Sequence, residues 1–357
     1  MGQKKNRIKD IAFHAGVSVG TVDRVLHNRG RVSEEALKKV QEAIIKVDYK
    51  PNLIARTLGS RKRHYIAAII PDPSLDEYWT QSSLGIKQSI AEWAPYDFQI
   101  DTYHFNLYDK NSFKSISEEV YLTKPDGILL APIFYKETLP FLMLCKTAGI
   151  PYVLFNSNIP EASSLSFIGQ NLLESGKVGG ELCHIGHHGP GTFAILHINE
   201  NIQNAVHLLE KEKGFRKFFE ENQSGGVQVV SLDLESSEAA KINQEIELLV
   251  ADPQLKGILV TTSKGLSIVS AFLERNGKKG IRLVGYDLLE ENIRYLKAGI
   301  IDFLINQNPK RQAFLGIHHL SNYLLLKKEP PAMDLFPLEI ITPQNLDSYL
   351  NARLHSY

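Results

Sequence analysis

From residue 65 onwards, short apolar runs alternate with longer stretches in which apolar residues recur with the period of a helix. Strands that are apolar on both faces are typical of parallel sheets covered by helices on both sides. The predicted strands are Tyr65–Pro71, Gln99–His104, Gly127–Ala131, Tyr152–Asn156, Thr192–His197, Val227–Leu232, Gly257–Val260 and Leu283–Tyr286. The predicted helices between them are Leu84–Trp93, Leu139–Ala148, Gly176–Ile185, Ala205–Phe219, Ile242–Val250 and Ile268–Glu274.

This alternation predicts an α/β body with doubly wound parallel sheets, divided into two lobes. The chain is expected to cross between the lobes near Asn171 and again near Asn308. Ligands of such sheets bind beyond the carboxyl ends of the strands, which places the expected site in the cleft between the lobes. The predicted ranges are 64–357 for the body, about 64–171 and 308–326 for the first lobe, and about 172–307 and 327–357 for the second.

The first sixty residues show a different pattern, with three short predicted helices in close succession. Ile8–Ala15 carries its apolar residues on one stripe, and a tight turn at Gly16 leads to a second helix at about Val19–Leu26. A third helix opens at Ser33, and its predicted apolar stripe comprises Leu37, Val40, Ile44 and Val47. Three short helices with a four-residue turn between the first two are typical of a helix-turn-helix unit that reads DNA.

A net charge of zero conceals an uneven distribution along the chain. Residues 1–63 hold 15 Lys and Arg against 6 Asp and Glu, whereas the rest of the chain holds 25 against 34. A basic head on an acidic body is typical of a polyanion-binding module joined to a metabolite-binding domain. A basic tail that is merely solvated is the alternative interpretation of the same charges.

Two stretches of the head resemble the N-terminal module of the LacI/GalR family of repressors. The first is IKDIAFHAGVSVGTVDRVL at Ile8–Leu26, and the second is YKPNLIARTL at 49–58. The resemblance implies a DNA-binding domain at 1–50 and a hinge helix with its linker at 51–63. It assigns the DNA-binding positions to Ser18, Val19, Gly20, Thr21, Arg24, Asn52, Ala55 and Leu58.

These assigned positions differ in what they can contribute to DNA binding. Arg24 can bind the O6 and N7 atoms of a guanine, whereas Val19 offers only an apolar contact. Ser18 and Thr21 are candidate phosphate donors, with a helix cap and a helix surface residue as the alternatives. Asp23 stands where the family usually has Ser, and a carboxylate at that position would repel phosphate.

The hinge positions have roles that follow only from the resemblance. In the family, this segment folds on DNA and pairs with the same segment of the dimer partner. Leu58 corresponds to the residue that wedges into a minor-groove step, and Ala55 to the position of close packing. A linker without a role in the groove is the alternative interpretation.

Three stretches of the body are FIGQNLLESGKVGGEL at 167–182, LVGYDLLEENIRYLKAGIIDFLINQNPKRQAFLGI at 283–317 and PLEIITPQNL at 337–346. Through them the region of about 64–345 resembles the type I periplasmic binding protein fold, and within it the ribose- and pentose-binding branch. Together with the strand ends, this resemblance nominates a ligand site whose polar planar groups and aromatic walls suit a polyhydroxylated ligand. Asn156 and Asn158 stand where sugar-binding relatives often have Asp, and Lys211 stands in place of the usual Arg. A different sugar, a sugar acid, a sugar phosphate and a polyol therefore all remain compatible. The alternative for each polar residue is that it caps a helix or turn. The nominated residues are Tyr78, Trp79, Asn156, Ser157, Asn171, Lys211, Ser263, Asp287 and Gln307.

The resulting functional hypothesis is a cytoplasmic, homodimeric DNA-binding transcription regulator, expected to be a repressor, that binds a palindromic operator under control of a sugar-like effector. A ligand-dependent activator of the same fold is one alternative. A solute-binding protein of a sugar transporter is another, but it requires an export signal, and no apolar run follows the basic MGQKKNRIKD.

An enzyme is a further alternative, and it requires a reactive group of residues. The sequence contains neither a P-loop nor a G-x-G-x-x-G motif. We therefore expect no catalytic residues, no cofactor, no metal site and no membrane span. The two cysteines, Cys145 and Cys183, have no pairing or metal-binding spacing and are expected to be buried free thiols.

Overall fold

The chain divides into two compact units, Met1–Lys62 and Arg63–Tyr357, which we call the head and the body. The structure is a computed structural model. It describes residues 8–26, 30, 32–47, 63–199, 204–222, 226–234, 239–277 and 280–355.

The head contains three helices, α1 (Ile8–Ala15), α2 (Val19–Leu26) and α3 (Glu34–Lys46). Gly16 adopts a φ of 65°, a left-handed conformation that glycine takes without steric cost, and this turn places α2 across α1. The buried core of the head comprises Ile11, Ala12, Ala15, Val22, Val40, Ala43 and Val47.

The predicted apolar stripe of α3 was wrong at one position. Leu37 is 38% exposed, whereas Val40 is fully buried. Ala43, one turn after Val40, belongs to the buried core, although the predicted stripe did not include it.

The body contains two six-stranded sheets in the part of the chain that the structure describes. Its strands are β1 (His64–Pro71), β2 (Phe98–Phe105), β3 (Gly127–Leu130), β4 (Tyr152–Phe155), β5 (Ser166–Gly169), β6 (Gly191–Ile198), β7 (Val227–Leu234), β8 (Leu255–Val260), β9 (Arg282–Tyr286), β10 (Phe303–Asn306), β11 (Met333–Leu335) and β12 (Glu339–Ile341). The first sheet has the order β11-β5-β4-β3-β1-β2 and the second the order β12-β10-β9-β8-β6-β7. All pairs are parallel except that of β10 and β12.

Helices cover the sheets, as the doubly wound pattern predicts. Those of the body are α4 (Tyr78–Trp93), α5 (Lys110–Thr123), α6 (Tyr135–Thr147), α7 (Leu172–His184), α8 (Val206–Glu221), α9 (Ala239–Val250), α10 (Ser263–Asn276), α11 (Glu290–Lys297), α12 (Pro309–Leu326) and α13 (Leu346–His355). In the first lobe α12 packs on α4, and in the second α7 packs on α8. No described helix is long and apolar enough to cross a membrane.

Both helix pairs approach closely because a glycine lies at the contact. A Cβ atom on Gly176 of α7 would lie 2.0 Å from the Lys211 carbonyl oxygen of α8. Gly214 of α8 faces the Leu173 carbonyl oxygen in the same way, also at 2.0 Å. In the first lobe, Gly85 of α4 has the equivalent contact with Lys310 of α12, at 2.1 Å. The absence of a side chain at these glycines therefore allows α7 to pack closely on α8, and α4 on α12.

The chain crosses between the lobes at three places, one more than the sequence indicated. After β5 and after β10 it passes the predicted points near Asn171 and Asn308, and a third crossing connects β11 with β12. The assignment of 327–357 to the second lobe was therefore wrong in part, because β11 pairs with β5 of the first sheet. This three-residue strand is too short to show a periodic pattern.

A single side chain ties the three crossings together. The Gln170 side-chain amide donates hydrogen bonds to the carbonyl oxygens of Asn306 and Pro337, each at 2.9 Å. Gln170 is 3% exposed and lies on the first crossing, while its two partners lie on the second and third. The Gln170 amide thus connects the three interlobe crossings at one point.

Both cysteines are buried free thiols, as predicted. Burial raises the pKa of the Cys145 thiol to about 12, and burial also raises the pKa of Cys183. Both thiols therefore stay protonated at neutral pH, which makes them poor nucleophiles.

Candidate functional site

Ser18 directly precedes α2 and caps its first turn. The Ser18 hydroxyl oxygen accepts a hydrogen bond from the Thr21 backbone N–H at 3.1 Å. The two side-chain hydroxyls of Ser18 and Thr21 also pair with each other, at 2.9 Å. This pair uses one of its two hydroxyl protons, so the other proton can be donated to a phosphate oxygen. Capping and phosphate binding are therefore compatible at these two residues.

Val22 is the buried residue of α2, and other positions of the helix are open to solvent. Val19 is 45% exposed, and Gly20 and Arg24 are exposed as well. These three residues therefore offer an apolar surface, a position without a side chain and one guanidinium. Arg24 passes close to the turn at Gly30, where a Cβ atom would lie 3.7 Å from the Arg24 side chain. The remaining predicted DNA-binding residues, Asn52, Ala55 and Leu58, lie outside the described residues.

In the second lobe, the structure brings Asp287, Gln307 and Ser263 together. The Asp287 carboxylate accepts the Gln307 backbone N–H at 2.9 Å and the Gln307 side-chain amide at 2.7 Å. It also accepts the Ser263 hydroxyl at 2.5 Å. The Asn292 amide fixes the backbone here by donating to the carbonyl oxygens of Ser263 and Tyr286, at 3.0 and 3.2 Å.

The Asp287 carboxylate is buried at the carboxyl end of β9, in a left-handed conformation with a φ of 62°. Burial raises the pKa of Asp287 above its ordinary value, because the charged form loses its hydration. The hydrogen bonds from Ser263 and Gln307 and the charge of Lys211 act in the opposite direction. Since both carboxylate oxygens already accept protein donors, Asp287 serves first to orient its neighbours.

Lys211 reaches the same region from α8, and it is only 2% exposed. Its ammonium donates to the Thr261 carbonyl oxygen at 3.2 Å and lies 3.6 Å from the centre of the Tyr286 ring. A cation over an aromatic face in a buried position is a stabilising arrangement. Lys211 therefore lies beside the Asp287 cluster, at the carboxyl ends of β8 and β9.

In the first lobe, Tyr78, Trp79 and Asn156 lie together. The Asn156 side-chain amide donates to the Tyr78 hydroxyl at 2.6 Å, and the Tyr78 and Trp79 rings meet edge to face at 4.9 Å. Trp79 also contacts the ring of Phe155, at 6.2 Å between centroids. Asn156 has a φ of 69°, a conformation that Asn tolerates better than most residues with a side chain.

A chain of hydrogen bonds connects these two groups across the lobes. The Asn156 backbone N–H donates to the Gln312 side-chain oxygen at 2.9 Å, and the Gln312 amide donates to the Gln307 carbonyl oxygen at 2.7 Å. Gln307 in turn donates to Asp287. Gln312 lies on α12 and is 1% exposed. The sequence analysis missed this residue, because a glutamine inside a helix carries no recognisable signal.

Two nominated residues, Asn171 and Ser157, belong to neither of these hydrogen-bonded groups. Asn171 is half-buried at the start of α7, and its side-chain oxygen accepts the Glu174 backbone N–H at 3.2 Å, so it has the capping role offered as its alternative. Ser157 is fully buried after β4, and its hydroxyl makes no hydrogen bond within the described part of the chain.

A cavity opens between the lobes, with an empty volume of about 230 Å³ that is partly open to solvent. None of the nominated residues lines it, but Tyr78 and Ser263 lie within two positions of residues that do. Asn199 directly follows β6, and the strand-end rule that nominated Asp287 would also have found it. The residues lining the cavity are Asp76, Leu107 and Tyr108 of the first lobe and Ile198, Asn199, Thr262, Lys264 and Gly265 of the second.

Comparison with known proteins gives a separate result for the head and for the body. Residues 7–52 match the family described as "Bacterial regulatory proteins, lacI family", and residues 66–329 match the family described as "Periplasmic binding protein domain". The second match covers most of the chain.

Several individual proteins are also similar to the chain. The ribose operon repressor of Halalkalibacterium halodurans is 27% identical over 78% of this chain and 80% of its own length. The HTH-type transcriptional regulator MalR of Streptococcus pneumoniae is 34% identical over 43% of this chain and 46% of its own. A crystal structure from Bacteroides fragilis, described as a LacI transcriptional regulator, is 29% identical with a TM-score of 0.75, covering 81% of this chain and 100% of that one.

Proposed function

Since the chain belongs to the LacI family of bacterial regulators and carries a periplasmic binding protein domain, we propose that it is a cytoplasmic repressor controlled by a sugar-like effector. It acts as a homodimer, in which each protomer presents one α2 helix to one half of a palindromic operator. Residues 1–50 read the DNA, 51–63 form the hinge and linker, and 64–357 bind the effector. The cleft binds the effector and has no catalytic role, since the regulators that this chain resembles act by binding.

DNA binding by the head is supported by its charge and by the exposed residues of α2. Phosphate contacts provide affinity, and the excess of Lys and Arg in residues 1–63 supplies them. Arg24 is the exposed cation of α2 and provides the base-specific contact, while Ser18 and Thr21 bind phosphate. Asn52, Ala55 and Leu58 form the hinge, and Leu58 enters the minor groove.

The polar side chains around the cavity support a polyhydroxylated effector. Side chains that can bind hydroxyl groups line both sides, including Asp76, Asn199 and Thr262. A relative named for the ribose operon supports the same class of ligand.

Effector control is carried by one observation, the hydrogen-bond chain from Tyr78 and Asn156 through Gln312 to Gln307 and Asp287. An effector in the cavity contacts Asp76, whose carboxylate accepts the Tyr78 backbone N–H, and Thr262, which directly precedes Ser263 of the Asp287 cluster. It therefore acts on both ends of the hydrogen-bond chain through these neighbours. The change in the relative position of the lobes then alters the distance between the hinge segments 51–63 of the two protomers. This distance in turn determines the affinity for DNA. By linkage, operator DNA must change effector affinity by the same factor.

The test uses the full-length protein and a duplex selected from a randomised pool. Fluorescence anisotropy measures the affinity at several salt concentrations, without and with D-ribose, D-arabinose, D-gluconate and D-ribose 5-phosphate. We expect salt-sensitive binding of the selected duplex and a change of at least about tenfold with one of these compounds. Failure to enrich any duplex would contradict the proposal. Sugar binding without any DNA affinity would favour a solute-binding protein.

A further inference from the structure

Helix α6 of the first lobe lacks a cap from its own chain segment. The residue before it, Phe134, has an apolar side chain and makes no side-chain hydrogen bond to the first turn. The first backbone N–H groups of a helix have no partners within the helix, so they require acceptors from elsewhere. For α6, one such acceptor comes from the other lobe.

Asn204 of the second lobe provides that acceptor. Its side-chain oxygen accepts the Lys136 backbone N–H of α6 at 2.9 Å. Its side-chain amide donates at the same time to the Glu137 carboxylate in the same helical turn, at 2.8 Å. Both ends of one amide are thus used to bind the first turn of a helix that belongs to the opposite lobe.

A second contact bridges the lobes at another point. The Lys264 ammonium, on the first turn of α10, donates to the Leu75 carbonyl oxygen at 2.8 Å and lies near the Tyr108 ring. Lys264 lines the cavity, whereas Asn204, Lys136 and Glu137 do not. The Asn204 contact therefore depends on the approach of the lobes and not on direct contact with an effector.

We propose that Asn204 is an interlobe latch, a positioning residue that stabilises the closed form of the body by capping α6 across the cleft. The inference rests on the proposed function, in which the lobes open and close. Opening the cleft removes the Asn204 oxygen from the Lys136 N–H and the amide from Glu137. The helix then loses its cap, so closure is favoured even before an effector binds. The strength of this latch sets how much of the closed form the effector must still induce.

Hydrogen exchange at the Lys136 amide tests the latch directly in the full-length, effector-free protein. Electron-transfer dissociation after exchange resolves single amides of the segment 131–141. In Asn204→Ala, we expect the Lys136 amide to exchange at least about tenfold faster than in the unaltered protein. The Thr138 amide, which donates to Phe134 within the first lobe at 2.8 Å, should change by less than about twofold.

Two further variants separate the latch from a general loss of structure. Asn222→Ala removes a side chain whose amide donates to the Phe218 carbonyl oxygen within the second lobe, so the Lys136 amide should keep its protection. Glu137→Ala removes the second partner of Asn204 from the other lobe and should raise Lys136 exchange by a smaller factor. Equal Lys136 exchange in Asn204→Ala and in the unaltered protein would overturn the proposal.

Spin-label distances provide a second readout. Labels at Glu118→Cys of α5 and Glu247→Cys of α9 report the separation of the lobes, because the native Cys145 and Cys183 are buried. We expect Asn204→Ala to shift the distance distribution to larger values, and an unchanged distribution would contradict the latch. Neither measurement uses DNA or effector, so failure of the proposed function would leave both results interpretable.

Discussion

Gln307 donates two hydrogen bonds to one carboxylate, that of Asp287, through its backbone N–H at 2.9 Å and its side-chain amide at 2.7 Å. Gln307 lies where the chain leaves the second lobe for α12, and Asp287 lies at the end of β9. The pair therefore fixes the direction in which the chain enters the second crossing between the lobes. Any change in the protonation or position of Asp287 is transmitted to the crossing.

The first prediction concerns the pH dependence of stability. Burial raises the pKa of Asp287, so in the folded protein this carboxyl holds its proton to a higher pH than it does in the unfolded chain. Its contribution to the free energy of unfolding is therefore fully present below about pH 4 and is lost as the pH rises through the folded-state pKa. Asp287→Asn has no titratable group at this position, so its free energy of unfolding lacks this dependence on pH.

Urea unfolding from pH 4 to 8 measures this effect. The stability of the unaltered protein minus that of Asp287→Asn should fall as the pH rises and then become constant. A difference that rises with pH would mean that the hydrogen bonds from Ser263 and Gln307 outweigh burial and lower the pKa. Asp347→Asn, at an exposed carboxylate of α13, provides the control.

The second prediction concerns the hydroxyl of Tyr78. In Tyr78→Phe, the Asn156 amide loses its acceptor at 2.6 Å in a buried position, which costs about 1–3 kcal/mol of unfolding free energy. Tyr96→Phe removes a hydroxyl from a half-exposed tyrosine and should cost less than about 0.5 kcal/mol. Urea unfolding measures the loss of unfolding free energy in each variant. Equal effects would show that the Tyr78–Asn156 bond contributes little.

The third prediction concerns the contact of α7 with α8. In Gly176→Ala, the added Cβ atom would lie 2.0 Å from the Lys211 carbonyl oxygen, so the helices must separate. We expect a loss of about 1–3 kcal/mol or more, with displacement of Lys211 from the Tyr286 ring. Glu181→Ala, at an exposed position of the same helix, should change stability by less than about 0.5 kcal/mol. A stable Gly176→Ala protein with unchanged crystal geometry at Lys211 would refute the argument.

The fourth prediction concerns sequence preference in DNA binding. Arg24→Ala should lose about 1–3 kcal/mol of preference for the selected duplex over a scrambled one, which is roughly a 5- to 140-fold change. Affinity for the scrambled duplex should change much less. Lys38→Ala, at an exposed cation of α3, serves as the control and should leave the preference unaltered. Competition anisotropy measures both, and an intact preference in Arg24→Ala would remove its proposed contact with a base.

Much of the fold could be predicted from the sequence because buried parallel strands are apolar throughout. The predicted strand Tyr65–Pro71 differs from β1 by one residue, and Val227–Leu232 falls two residues short of β7. Helix starts were less accurate: α4 begins six residues before the predicted Leu84, because its first turn contains Thr80 and other polar side chains. The strands β11 and β12 were missed, since three residues are too few to establish a pattern, and β5 was missed as well.

The site was predictable only in part, for a related reason. Strand ends located Asp287 and Asn156, and the structure places each in a buried hydrogen-bonded group. Residues such as Gln312 and Asn204 act through partners that are distant in the chain, at separations of 156 residues for Asn156 and 68 for Lys136. Local sequence carries no information about such pairs, so only the folded chain shows them.

The position of β11 has a consequence for how the protein is made. The first sheet needs β11, and its packing needs α12, yet both follow all but one strand of the second sheet in the chain. During synthesis, which proceeds from the N-terminus, the first lobe must wait with an unpaired edge at β5 until the last part of the chain leaves the ribosome. Truncation shortly after residue 306 would therefore damage the first lobe, although the missing residues are more than a hundred positions away from its other strands.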